Sequence, residues 1–181
     1  MSFLDTLAVE PLPPALNAGG FDCGELDLTD YLCDGSAEND QKASVSRTYL
    51  VRTQAGEIVG YFSVLADAIR LHTKERPDGC NYPSAPALKL GRMGRDVKYR
   101  GQDIGRWILD YVVGMARAAS VRMGVRYVTL DALKRPKLIA WYKEYGFVEN
   151  KAHGNFMARI RNLASRDKLD HVSMRFDIVL Q

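Results

Sequence analysis

The chain has 181 residues, 46% of them hydrophobic, with 25 Lys and Arg against 22 Asp and Glu for a formal charge of +3. That length and apolar content suffice for one ordinary core, which sets disorder aside and predicts a single domain over residues 1–181. The small net charge conceals a polarised layout. Residues 1–41 hold nine acidic side chains and no Lys or Arg, which leaves a formal +12 on the remainder. Such a split points either to an anionic partner for the basic part or to two parts that face each other.

Cys23, Cys33 and Cys80 are too few for a disulfide framework, so a reducing compartment is expected. His72 and Cys80 have no CxxC or HxxxH companion, and no metal site is expected. The opening MSFLDTLAVEPLPPAL lacks the basic region of a signal peptide. Asp67 and Asp110 break the two longest apolar runs, residues 61–69 and 107–116, well short of a membrane span. A soluble cytoplasmic protein with no membrane partner is expected.

In chain order, Leu26, Leu28, Tyr31 and Leu32 predict an amphipathic helix over roughly 24–40. Two β-rich runs follow, Arg47–Arg52 and 58–71, joined through Thr53-Gln54-Ala55-Gly56-Glu57 as a hairpin. Pro77, Gly79, Pro83 and Pro86 mark a loop. Residues 87–96 read as a strand interrupted by Gly91 and Gly94, where a bulge or a close approach is expected. The helix beginning near Asp103 is the strongest prediction, with Ile104, Trp107, Ile108, Tyr111, Val112, Met115, Ala116 and Ala119 at helical spacing. A strand over 126–131 precedes a short helix from Pro136, stopped at Gly146. Residues 147–149 start another strand. Val172, Met174, Phe176, Ile178 and Leu180 alternate as the last one. The strand–helix–strand unit over 87–131 implies a parallel pair and the hairpin implies antiparallel neighbours, giving an α/β fold with a mixed sheet and helices on both faces.

The stretch from Met93 to Arg106 carries the chemistry. A strand meets a helix through a loop containing Gly101 and Gly105, so several backbone N–H groups converge at the positive end of the helix dipole. That arrangement suits a phosphate or pyrophosphate, and Arg92, Arg95, Lys98, Arg100 and Arg106 surround it with positive charge. The same residues are also compatible with a plain turn in which Asp103 caps the helix. Neither the P-loop GxxxxGK[ST] nor the Rossmann GxGxxG occurs here.

The run Arg100-Gly101-Gln102-Asp103-Ile104-Gly105, preceded by Tyr99, resembles the acetyl-CoA signature Arg/Gln-x-x-Gly-x-Gly/Ala of the GNAT acetyltransferases. Asp103 stands where that signature has its first Gly. Ile139-Ala140-Trp141-Tyr142-Lys143-Glu144-Tyr145-Gly146-Phe147 resembles the family's A-x-x-x-Y-x-x-x-GF segment, with Tyr142 at the usual tyrosine. Further segments, among them Phe21-Asp22-Cys23-Gly24, Leu28 to Leu32, Ser46 to Leu50 and Gly60 to Ser63, resemble the bacterial branch that includes toxins acetylating aminoacyl-tRNA.

The resemblance implies the GNAT fold, with a mixed, mostly antiparallel sheet and a splayed parallel strand pair that admits the pantetheine arm. It implies acetyl-CoA as cosubstrate, bound by Met93, Gly94, Arg95, Arg100, Gly101, Gln102, Asp103, Ile104, Gly105 and Arg106. In that scheme backbone groups at Met93 and Arg95 hold the arm and one N–H polarises the thioester carbonyl, while amides from Gly101 to Arg106 hold the pyrophosphate. Tyr142 is the candidate general acid, although Leu138, Trp141, Tyr142 and Tyr145 also form a plausible core stripe. Asp67, His72, Asp131 and solvent all remain open as the base. Lys134, Arg135 and Lys137 could meet a CoA phosphate, an external polyanion or only water.

The expected activity is transfer of an acetyl group to a primary amine, borne by aminoacyl-tRNA, a protein or a small molecule. A ribbon–helix–helix antitoxin and a homodimer are the partners the resemblance suggests. The competing readings are a CoA-binding module that has lost catalysis, suggested by Asp103, and the toxin of a toxin–antitoxin pair.

Overall fold

The computed structural model describes residues 2–179. Seven strands form one sheet in the order β1-β2-β3-β4-β5-β7-β6. They are β1 (Ala8–Pro11), β2 (Arg47–Arg52), β3 (Ile58–Arg70), β4 (Ser84–Arg95), β5 (Tyr127–Leu133), β6 (Val148–Glu149) and β7 (His171–Asp177). Five α-helices accompany them: α1 (Leu26–Cys33), α2 (Ser36–Lys42), α3 (Ile104–Ser120), α4 (Pro136–Tyr145) and α5 (Lys151–Ile160). The sheet is mostly antiparallel with one parallel pair. A crossover helix is what a parallel connection requires, and the unit β4–α3–β5 joins neighbouring strands through one.

The chain divides into two compact units. The first comprises residues up to Leu65 with Leu90–Val112, and the second comprises Ala66–Lys89 with residues from Val113 onward. β3, β4 and α3 each contribute to both.

In the first unit, neighbouring residues of β3 point to opposite faces, and each face has its own helices. Tyr61 joins Phe21, Tyr31, Leu32 and Ala37 in a cluster on the α1–α2 side. Phe62 instead stacks on Tyr49 and meets Tyr111 of α3. Burial on both faces accounts for the unbroken run of seven buried residues that opens β3. Two glycines permit the close approach of β3 and β4. A Cβ on Gly60 would stand 2.9 Å from the Gly94 carbonyl oxygen, and one on Gly94 would stand 2.6 Å from the Tyr61 ring. That ring has little freedom to yield, because its hydroxyl donates to the Leu28 carbonyl at 2.6 Å.

In the second unit, β5 and β7 pair from Tyr127↔Asp177 to Leu133↔His171. One side is apolar: Phe176 meets Tyr145 and Phe147, and Phe147 meets Tyr142. The other side carries His171, Ser173, Arg175, Thr129 and Asp131, and there Arg175 pairs with Glu75 at 2.9 Å.

Several boundaries differ from the sequence reading. The helix expected over 24–40 is two helices, because Gly35 takes a left-handed φ of +89° and the chain turns at Asp34-Gly35. The strand expected over 87–96 begins earlier, at Ser84, and of the two outcomes expected at its glycines the close approach is the one found, at Gly91 against Leu65 and at Gly94 against Tyr61. Strand β1 was not expected. It lies at the sheet edge, where a terminal proline is tolerated, so Pro11 does not prevent pairing with Tyr49. Helix α5 was also not expected. Its fully buried residues are only His153, Gly154 and Ala158, yet Asn150 caps it by accepting from the His153 N–H at 3.1 Å. Leu180, which the alternation included in the last strand, lies outside the described residues.

Gly94→Ala is expected to lower stability by about 1–3 kcal/mol, since neither the Tyr61 ring nor the strand can withdraw freely. Gly114→Ala, where an added methyl meets no atom within 4 Å, is expected to raise it by about 0.5–1 kcal/mol. Urea denaturation of the two variants beside the parent measures both.

Candidate active site

A buried carboxylate anchors the loop between β4 and α3. Asp96 is 2% exposed and accepts from the N–H groups of Asp22 at 3.3 Å and Lys98 at 2.9 Å. The Asp96 N–H donates to the Val59 carbonyl and the Val97 N–H to the Asp22 carbonyl. The end of β4, the 3-10 turn Val97–Tyr99 and the segment before α1 are therefore tied at one point. Sequence reasoning placed Asp96 merely at the end of a strand. An Asp two residues before a turn amide was the signal available, because that spacing lets a carboxylate accept from the amide.

Beyond the turn, Gly101 has φ +84°, and a Cβ built there meets nothing within 4 Å. The loop thus lies open at that position. Asp103 has φ +52°, in the left-handed region. The signature's first Gly answers that conformational demand, and Asp is among the few other residues that tolerate it. An ordinary cap has extended backbone, so Asp103 is not a standard N-cap. The first bond back along α3 runs from the Trp107 N–H to the Asp103 carbonyl at 3.0 Å. The amides of Asp103, Ile104 and Gly105 precede that ladder and sit at the positive end of a 17-residue helix. Ile104 is fully buried and fixes the helix start.

The expected ring of cations is only partly available. Arg92 is committed to Asp27 at 2.6 Å, with its guanidinium 4.3 Å from the centre of the Tyr31 ring. Lys98 lies 3.8 Å from Glu57, and Arg95 donates to the Asp96 carbonyl at 3.1 Å. Arg100 is exposed. Tyr99, just before it, is stacked on Phe3 with centroids 5.7 Å apart. Burial and a hydrogen bond with Glu57 push its phenol up to about 12. Met93 and Arg95 are half-buried on β4, and Gly94 between them is buried.

Tyr142 lies on α4, four residues before Gly146, whose φ of +120° ends the helix. The side chain is 7% exposed, with Trp141 and Phe147 edge-on at 4.9 and 5.7 Å. Burial alone pushes its phenol up to about 12, so it is protonated throughout the physiological range. The core-stripe and proton-donor readings describe the same side chain: the aromatic packing that buries the ring also keeps its proton in place. Nearby, Arg135, Pro136, Lys137, Leu138 and Trp141 line an open apolar hollow. Lys134 donates to the Asp167 carbonyl at 2.6 Å.

Of the bases left open by the sequence, Asp131 is held by Lys89 at 2.7 Å, and Asp67 accepts from the Thr129 hydroxyl at 2.9 Å. His72 begins the turn at Thr73–Glu75. Among the described residues no group of three or more His, Cys, Asp or Glu has the disposition of a metal site. No described helix is long and apolar enough to cross a membrane.

The charge split follows the two units. The first holds eight Lys and Arg against thirteen Asp and Glu, a formal −5, and the second holds seventeen against nine, a formal +8. In the second unit Lys137, Lys143, Lys151, Arg159, Arg161 and Lys168 are exposed, and no described side chain forms an ion pair with them.

No family model matches the chain. A curated relative named "Probable toxin TacT", from Sinorhizobium fredii (strain NBRC 101917 / NGR234), is 27% identical over 153 residues, covering 77% of this chain and 82% of that protein. The structure of AtaT complexed with acetyl-methionyl-tRNAfMet superposes with a TM-score of 0.76 at 20% identity over 94% of each chain. A KacT structure gives 0.75 at 20% identity over 96% of this chain and 95% of that one. AtaTR bound with AcCoA gives 0.72 at 20% identity, again over 96% and 95%. The chain has the fold of these proteins, the GNAT fold its motifs resemble.

Because its φ is positive, Asp103→Gly is expected to leave stability unchanged or raise it, whereas Asp103→Val is expected to cost about 1–2 kcal/mol. Thermal melts of the two variants test this. For Tyr142, the difference between ultraviolet titrations of the parent and Tyr142→Phe is expected to show a phenol ionising only near about 12.

Proposed function

We propose that this chain is an acetyl-CoA-dependent N-acetyltransferase acting on the amino group of aminoacyl-tRNA, and the toxin of a toxin–antitoxin pair. The observation that carries this reading is the loop from Asp96 to Arg106, where three helix-start amides and an open Gly101 follow a carboxylate-anchored turn. Its likeness to folds crystallised with AcCoA and with an acetylated aminoacyl-tRNA supports both substrates. The unpaired cations of the second unit support the choice of a polyanion over a small amine, because Lys and Arg without protein partners are free to neutralise phosphates. Both substrates are cytoplasmic, which agrees with the compartment expected from the cysteine count.

In this reading residues 1–181 act as one acetyltransferase domain. Amides from Gly101 to Arg106 hold the pyrophosphate, and Arg100 adds charge. Backbone groups at Met93, Gly94 and Arg95 hold the pantetheine arm and polarise the thioester carbonyl, a form of stabilisation worth several kcal/mol in acyl transfer, on the order of 3. Tyr142 donates a proton to the departing sulfur, a role its raised pKa suits because the donor is fully protonated at neutral pH. Asp103 does not argue for a lapsed enzyme, since the backbone it occupies is one an Asp accepts.

A mutant of AtaT has a structure bound to the C-terminus of the antitoxin AtaR, and KacTA one in complex with DNA. By likeness to them, an antitoxin is the expected protein partner, of the ribbon–helix–helix class, and the toxin itself is expected to pair as a homodimer.

Incubation with labelled acetyl-CoA and bulk charged tRNA should transfer label to the aminoacyl group. Tyr142→Phe should lose at least about 100-fold in rate while still binding CoA. Binding of the tRNA should weaken steeply with salt, and removing Lys151, Arg159 and Lys168 together should reduce the slope of log K against log salt by about 2–3. Absence of label on tRNA, with label on a small amine instead, would overturn the tRNA assignment.

A further inference from the structure

Helix α4 has a side that the proposed chemistry does not use. Leu138 and Trp141 are three residues apart and Lys137 and Trp141 four, so the three side chains share one face of the helix. With Arg135 and Pro136 at the helix start, they line a hollow of about 700 Å³. Tyr142, one position on, packs instead against Phe147, with ring centroids 5.7 Å apart. Trp141 is half-buried, and its ring centroid lies 4.9 Å from that of Tyr142. The hollow and the candidate proton donor are therefore neighbours on one helix.

Two kinds of surface meet here. The walls are almost wholly apolar: the Trp141 indole, Leu138, the Pro136 ring, and the hydrocarbon stems of Arg135 and Lys137. Arg135 and Lys137 are exposed, which keeps their charged ends in water at the edge. Residues 132–143 hold Lys134, Arg135, Lys137 and Lys143 and no acid. An aliphatic ligand would use the walls and waste the cations. A free phosphate would use the cations and leave the indole uncovered. A nucleotide satisfies both, with a flat apolar ring on the indole and phosphates beside the cations. The bases of a duplex are stacked on one another, so only an unpaired base can enter.

Resting on the aminoacyl-tRNA reading above, we propose that this hollow is a subsite for the unpaired nucleobase at the 3′ end of the acceptor. The base stacks on Trp141, and Arg135 and Lys137 meet the phosphates that precede it. The last nucleotide of a charged tRNA bears the amino acid, so seating its base here brings the aminoacyl ester to the helix that carries Tyr142. Trp141 is then a positioning residue: it recognises the acceptor end and takes no part in proton transfer.

The probe is an uncharged RNA hairpin of the acceptor stem with an unpaired 3′ CCA end, set beside the same hairpin with an abasic last nucleotide. The parent should bind the intact hairpin about 10-fold more tightly, and Trp141→Ala should bind the two alike. Trp141→Phe keeps a stacking ring and should retain most of the difference, which covers the case in which Trp141→Ala does not fold. Lys137→Ala should weaken both hairpins equally and lower the slope of log K against log salt by about 1. Trp107 is the chain's other tryptophan, so in a Trp107→Phe background the intact hairpin should quench the remaining indole and the abasic one should not. Equal binding of the two hairpins by the parent would overturn the proposal. An undiminished difference in folded Trp141→Ala would do the same, and its loss of CoA affinity or of self-association would then assign the hollow to the cosubstrate or to a second copy of the chain. The two readings fail separately. Acetylation of charged tRNA without any dependence on the terminal base removes the subsite alone, whereas base-dependent binding without acetyl transfer supports the subsite and removes the enzymatic reading.

Discussion

The buried Asp96 carboxylate is the constraint on which the rest of the loop depends. A charge this far from water is unfavourable unless its lone pairs are used, and Asp96 satisfies them with two backbone amides. Those amides belong to segments far apart in sequence, at Asp22 and Lys98. The carboxylate therefore fixes both the entrance to the acidic first helices and the turn that precedes the helix-start amides. Such a site must hold its donors still before a ligand arrives, and a carboxylate with two fixed acceptor directions does so better than apolar packing, which is non-directional. The Gly60–Gly94 approach works to the same end, since it allows β3 and β4 to come close beside this anchor.

The two units handle charge in opposite ways. Acids of the first unit meet its own cations: Arg92 pairs with Asp27 and lies on Tyr31, and Lys98 lies near Glu57. Exposed pairs of this kind contribute little to stability, about 0–1 kcal/mol each. Their consequence lies elsewhere, because a paired cation is less available to an outside anion. In the second unit the exposed cations on α4, α5 and the turn after α5 have no such partners, so the field they create reaches solvent. Of the two meanings open to the charge split in residues 1–41, these ion pairs match the one in which the acidic part faces the chain's own cations. The acidic part folds onto nearby cations, and an excess of positive charge remains open on the other unit.

How much of this was legible in the sequence depends on the kind of signal. Helix α3 was readable because seventeen residues repeat one apolar face, and β7 because its side chains alternate. The split between α1 and α2 was not, since a single left-handed glycine breaks a pattern whose apolar positions continue past it. Strand β1 was hidden by Pro11 and the prolines just after it, and α5 by having only His153, Gly154 and Ala158 fully buried. At the candidate site, the glycine-containing loop before α3 could be singled out by spacing, and Tyr142 by motif resemblance. Asp96 could not, because its significance lies in a partner brought from elsewhere, the Asp22 amide. The commitment of Arg92 to Asp27 was invisible for the same reason, as 65 residues separate the two.

The second unit sets a phenol and an imidazole in opposite surroundings on the two sides of one strand pair. Tyr142 is kept protonated by burial among aromatic rings, where a phenolate would have no solvation. His171 lies in a polar environment instead, with Asp170 and Asp131 on either side of its ring. The division follows from the two sides of one strand pair. Phe176 faces the aromatic cluster and His171 faces the polar one, because side chains of β7 alternate across the sheet. A shift of one residue in the β5–β7 register would exchange those faces and place the imidazole among the aromatic rings, away from its carboxylate neighbours. The aromatic environment of Tyr142 and the polar one of His171 therefore depend on the same register, the one that buries Met174 and Phe176.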